Sequence, residues 1–112
     1  MATEYPVRIQ LDNGTIVCDV TNGKVRGGNV KGSAGDAIHF TGNGVKFKLA
    51  FEDFPDGGQD YPFDGSNPWA SGGPALPEFT GVLKTVTPPK YYKYTVIVDG
   101  KPPLDPIIIV DK

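Results

Sequence analysis

Apolar residues recur at every second position along several short stretches of the chain, the spacing of a strand with one buried face. Residues 5–11 set Tyr5, Val7, Ile9 and Leu11 against Pro6, Arg8 and Gln10. Pro6 lacks an N–H and suggests an edge strand. Asn13-Gly14 follows, a pair that accepts positive φ at both turn positions, and residues 15–21 return with Ile16, Cys18 and Val20 on one side. Residues 36–41 point Ile38 and Phe40 inward and His39 and Thr41 outward; residues 45–51 set Val45, Phe47, Leu49 and Phe51 against Lys46, Lys48 and Ala50. Regular structure is expected again near 79–87. The chain closes on two β-rich runs, 91–98 and 107–110, around a connector punctuated by Asp99-Gly100, Pro102, Pro103 and Pro106. Tyr92, Tyr94, Val96 and Val98 share one face of the first run. Ile107-Ile108-Ile109-Val110 is apolar at every position, which predicts a strand covered on both sides. Nothing shows helical periodicity of useful length, and no internal repeat is visible.

Two segments interrupt the alternation. Residues 25–35 hold four glycines with Val25 and Val30 as anchors. They lack the strand-then-helix setting of a phosphate-binding loop, so turns and bulges are expected there. Residues 52–78 are rich in Pro, Gly, Asp and Asn, and a structureless stretch of that length in a compact domain signals function or disorder. Its aromatics, Phe54, Tyr61, Phe63 and Trp69, argue against plain disorder. The pattern predicts an all-β, antiparallel sandwich of about seven to nine strands with a long loop at 52–78.

Composition narrows the reading. A chain of 112 residues is expected to be a single domain spanning 1–112. Its 15 glycines and 11 prolines sit between β-branched and aromatic runs and act as turn punctuation. With 11 basic against 13 acidic residues and no basic stripe, nucleic acid is not expected as the partner. One cysteine, Cys18, rules out an internal disulfide and a cysteine-based zinc site; it is expected in the core. No run approaches the roughly 20 apolar residues of a membrane helix. The N-terminus shows no leader signature, so the chain taken as complete is expected in the cytoplasm, whereas a removed leader would place it in the periplasm or outside the cell.

Three segments together resemble the cupredoxin family. Gly35-Asp36-Ala37-Ile38-His39-Phe40 is similar to the Gly-Asp-x-Val-x-Phe strand entry of those proteins. Residues 45–51 sit where their first histidine ligand lies. Tyr92-Lys93-Tyr94-Thr95-Val96, a loop and then 107–110 are similar to their finish of Tyr-x-Tyr-x-Cys, a loop and Gly-x-Ile-x-Val. The resemblance implies a Greek-key sandwich of two packed sheets. It does not extend to the copper ligands, which are two histidines, a cysteine and usually an axial methionine. The chain has one His, one Cys and one Met, the last at position 1. Val96 stands where the cysteine would be, and Lys46 and Phe47 where the first histidine would be. The loop DGKPPLDP offers no histidine.

The remaining chemistry is sparse. Ser33, His39 and Asp36 make a Ser-His-Asp triad only on paper, since no nucleophile elbow surrounds a serine. Glu52, Asp53, Asp56, Asp60 and Asp64, with Asn67 nearby, put hard oxygen donors in one loop. Asp53, Asp56, Asp60 and Asp64 are calcium candidates, although their spacing is not that of an EF-hand. Two carboxylates of the 52–64 loop are also the raw material for a hydrolase. Phe54, Tyr61, Phe63 and Trp69 are read either as a cover closing one end of the sandwich or as an exposed platform. The platform's ligand would be a protein, a peptide or a sugar. The expectation for the whole chain is a metal-free, cofactor-free, non-enzymatic binding or interaction module.

Overall fold

The computed structural model describes residues 3–20, 29–51, 61–65, 67–69, 73–85 and 90–110. Among these there are eight strands and no helix: β1 (Glu4–Asp12), β2 (Thr15–Val20), β3 (Val30–Gly32), β4 (Ala37–Gly42), β5 (Lys48–Phe51), β6 (Glu78–Val82), β7 (Lys90–Ile97) and β8 (Ile107–Val110). They form two four-stranded sheets, in the orders β2-β1-β4-β6 and β3-β8-β7-β5. The connections from β2 to β3 through β6 to β7, five of the seven, pass from one sheet to the other.

The expected turns form for the expected reasons. Asn13 and Gly14 both take positive φ, 52° and 78°, and the register Asp12↔Thr15 leaves these two residues as the whole turn. Gly100 at φ 75° serves the turn after β7, where the Lys101 N–H donates to the Val98 carbonyl at 3.0 Å. The entry to β4 explains why Gly and Asp stand together. Gly35 takes φ 91°, which an L side chain resists, and the Asp36 N–H donates to the Ser33 carbonyl at 2.9 Å. The Asp36 carboxylate, only 8% exposed, accepts from the Ser33 N–H and from the Thr3 N–H, both at 2.9 Å. One buried charge thus ties the turn to the start of β1, and backbone donors compensate its desolvation.

The sheets are mixed, which corrects the antiparallel expectation. β1 runs parallel to β4, and β3 parallel to β8. An alternating pattern specifies which face is buried; it does not specify the direction of the neighbouring strand. β1 also lies inside its sheet, between β2 and β4, where Pro6 suggested an edge. Among the described residues Pro6 pairs with β4, and the described register with β2 starts at Val7. β3 has just three residues, and its Val30 and Gly32 face inward. Gly32 is closely covered: a Cβ there would meet Leu83 Cδ1 at 2.8 Å and Tyr5 Cε2 at 3.2 Å.

The inner faces of the two sheets share one core. Val7, Ile9, Ile38 and Phe40 from the first meet Leu49, Tyr94, Val96 and Ile108 from the second, all fully buried. Phe40 and Tyr94 pack edge to face across the gap, with ring centroids 5.8 Å apart at 75°. Cys18 is in this core. Removal from water pushes the Tyr94 hydroxyl well above its usual range, and Cys18 adds to the shift.

The expectation that β8 is covered on both sides fails. Ile108 and Val110 are buried, but Ile107 is 40% exposed and Ile109 is half-buried. The outer face of the second sheet has no layer over it among the described residues, so the apolar pattern of β8 outruns its burial.

Candidate functional site

Three regions bear on function: the aromatic end, the positions that correspond to a copper site, and the outer sheet faces. At the aromatic end, Trp69 is held by its own loop. The Trp69 N–H donates to Asn67 Oδ1 at 2.9 Å, an Asx turn, and the indole Nε1–H donates to the Pro74 carbonyl at 2.8 Å. Gly73 lets the two arms of the loop touch, since a Cβ there would lie 2.0 Å from the Pro68 carbonyl oxygen. The ring packs edge-on against Phe79 with centroids 4.9 Å apart and is 8% exposed.

Phe63 is 2% exposed and lies against the bare Cα of Gly81, with Phe51 and Phe79 both 5.9 Å away between centroids. Backbone bonds on either side hold it, from the Asp64 N–H to Val82 and from the Lys84 N–H to Pro62. Tyr61 is half-buried, edge to face with Phe51 at 5.1 Å, and burial pushes its hydroxyl up to about 12. Phe63 and Trp69 are therefore core side chains rather than an exposed platform, and Tyr61 closes the cluster from outside. Phe54 lies outside the described residues.

Two of the three positions where the resemblance would place ligands are apolar and buried. Val96 and Phe47 are both fully buried in the shared core. Val96 exchanges backbone bonds with Leu104, N–H to carbonyl at 2.7 and 3.2 Å, and the Tyr94 N–H reaches the Pro106 carbonyl at 3.0 Å. The connector after β7 is thus zipped back onto β7 by its own ladder. Phe47 is fixed in the same way, by paired 2.8 Å bonds with Leu76. Lys46, its neighbour, is exposed.

The titratable candidates do not converge. Asp36 is turned into the core side of its sheet, while His39 stands on the outer face with Glu78 Oε2 3.0 Å from Nε2 and Glu4 Oε1 3.7 Å from Nδ1. The two carboxylates approach opposite ring nitrogens, so they cannot share an ion with the imidazole. Asp36 binds the Ser33 backbone N–H, which separates it from any triad role. Asp64 is exposed in a turn beside Gly65, whose φ is 94°. Glu52, Asp53, Asp56 and Asp60 lie outside the described residues. Among the described residues no group of three His, Cys, Asp or Glu side chains is placed to hold a metal ion.

The outer face of the second sheet was not singled out by the sequence pattern. The register sets Lys93 beside Ile107, Tyr91 beside Ile109, Lys48 beside Ile97 and Lys31 beside Ile109. Tyr91 is 57% exposed and Ile97 38%. The only sequence signal was the unbroken apolar run of β8, read as burial. No helix among the described residues is long and apolar enough to cross a membrane. No protein-family model and no curated protein sequence matches the chain.

Proposed function

We propose that the chain is a metal-free, non-enzymatic interaction module on a cupredoxin-like, Greek-key sandwich. Connections that repeatedly change sheet, around one core shared by both inner faces, support the Greek-key part of this reading over a simple meander. The family part rests on the Gly35-Asp36 entry to β4 and the Tyr92-x-Tyr94-x-Val96 strand, each of which has a structural role in this fold. One makes the buried cap of the turn, and the other supplies the inward ladder of β7.

The observation that carries the functional half is the complete burial of Val96 and Phe47 in apolar surroundings. A copper site needs a thiolate and imidazoles held by further polar partners at that place. Here the space is filled by packed hydrocarbon, so the stability of the scaffold and not a redox centre accounts for these residues. What remains for function is the surface.

The test is metal content after exposure to copper and exhaustive dialysis. The reading predicts substoichiometric copper and no intense visible absorption. One copper per chain with a blue thiolate band would overturn it.

A further inference from the structure

We propose that the outer face of the second sheet docks an acidic protein surface. Lys48 and Lys93 would meet its carboxylates, and Tyr91, Ile97 and Ile107 would form the apolar part of the contact. The inference rests on the reading of the chain as an interaction module and names the surface and the partner's chemistry.

Two independent features mark this face. The first is apolar excess. β8 carries isoleucine on both sides, the signature of a strand with two covered faces, yet only its inner side is covered. Tyr91, Ile97 and Ile107 are three of the four large hydrophobic residues that stand exposed in the described structure, and all three lie on this face. The second feature is charge. The chain as a whole has a net charge of −2, yet Lys31, Lys48 and Lys93 project from this face. Asp105, beside them, accepts a hydrogen bond from Thr95 Oγ1 at 2.7 Å. Neither Lys48 nor Lys93 forms an ion pair with a described residue. A face whose sign opposes that of its own chain selects a partner of the opposite sign.

The same features decide between occupants. A second copy meeting through the same face would bring lysines against lysines, which disfavours a two-fold dimer. A bilayer takes up apolar groups to a depth of about 5–10 Å. Here the exposed apolar side chains, Tyr91, Ile97 and Ile107, are all strand residues of one sheet and none stands on a protruding loop. Along β7 the outward positions run Tyr91, Lys93, Thr95 and Ile97, so Lys93 lies between apolar positions and the partner's carboxylates must sit among its apolar groups. Four strands at roughly 4.8 Å spacing and some six residues at about 3.3 Å cover on the order of 300–400 Å². That is the size of a weak, reversible contact. Association is therefore expected to be fast, salt-sensitive and in the micromolar range.

The experiment is a titration of the isotopically labelled full chain with a random copolymer of glutamate and tyrosine, followed by amide chemical shifts. The expected result is shifts confined to residues 30–32, 48–50, 91–97 and 107–109, weakening with added salt. The double variant K48E/K93E should lose roughly tenfold or more in affinity, and Y91A a smaller factor, with unchanged spectra elsewhere. R8E, on the outer face of the first sheet, should bind like the parent.

Shifts centred on the first sheet or the aromatic end would overturn the proposal, as would equal binding by K48E/K93E or no shifts at millimolar copolymer. Binding to phosphatidylglycerol vesicles in place of the copolymer would assign the face to a membrane and would also overturn it. Concentration-dependent shifts on both outer faces without any probe would assign it to a second copy, again against the proposal. None of these outcomes alters copper content, so failure here is distinct from failure of the metal-free reading.

Discussion

Gly81 is the position where one methyl group should cost most relative to its size. It is the fourth of the five residues of β6, opposite Ile38, with no side chain between its Cα and the ring of Phe63. A Cβ there would lie 2.4, 2.5 and 2.7 Å from three ring carbons of Phe63. Ordinary carbon contacts are about 3.5–4.0 Å, so the ring would have to retreat by roughly 1 Å. It has little room to do so. Phe40, Phe51, Tyr61 and Phe79 surround it with centroids between 5.5 and 6.3 Å away. Overpacking of this kind costs about 1–3 kcal/mol, and the lower chain entropy of alanine returns about 0.4–1. Gly81→Ala should therefore destabilise by about 1–2 kcal/mol net, read as a lower denaturant midpoint with an unchanged slope. Phe63→Leu shortens and softens the obstructing group. In the Phe63→Leu/Gly81→Ala double variant the two effects should combine to less than their sum, by about 0.5 kcal/mol or more. A neutral or stabilising Gly81→Ala, or strict additivity in the cycle, would refute the placement of Phe63 on Gly81.

Other consequences follow from the same packing. Phe47→Ala removes a fully buried ring and should cost about 3–5 kcal/mol in chemical denaturation; an unchanged midpoint would mean that the strand faces the other way. Trp69, the single tryptophan, should emit at short wavelength in the folded protein and resist iodide, shifting to the red only on global unfolding; a water-like folded emission would contradict its burial. Stability should fall in alkali. Tyr94 and Tyr61 have hydroxyls raised in the fold above their ordinary value of 10.0, mainly by burial. The folded state thus holds these protons more tightly than the unfolded chain does. Their contribution is complete below about pH 10 and is lost as pH rises from there toward 12 and beyond. Tyr94→Phe should flatten that decline, and a decline of equal slope in the variant would count against Tyr94 as its source.

Much of the architecture was legible because it rests on local rules. The Asn13-Gly14 hairpin, the inward ladders of β4 and β7 and the burial of Cys18 all follow from period-two alternation and turn chemistry. What escaped was set by distant partners. β3 is a three-residue strand inside a glycine-rich stretch, and it exists because β8 offers a parallel edge at residues 108–110. The position of β1 inside its sheet was hidden by Pro6, since a proline within a strand argues for an edge. Trp69 stood in a turn-rich context with no alternation to say which way it points. Its burial depends on Phe79, ten residues on, and on the Pro74 carbonyl. The amphipathic outer face of the second sheet arises only when the register sets Lys93 against Ile107 and Lys48 against Ile97, a pairing no single strand displays. The acidic residues Asp53, Asp56 and Asp60, with Phe54, lie outside the described residues.

The central proposal is that the chain is a metal-free module, with packed hydrocarbon at Val96 and Phe47, where the resemblance to cupredoxins would place copper ligands. It is tested most directly by chemical denaturation of the protein with and without one equivalent of cupric ion. A ligand bound only by the folded state stabilises it by about 2.7 kcal/mol at a hundredfold excess over its dissociation constant. With Val96 and Phe47 in the core, the two unfolding curves should superimpose. They should separate only downward, if copper captures the Cys18 thiol that unfolding exposes. An upward shift that saturates at one equivalent would mean a native copper site and would contradict the account.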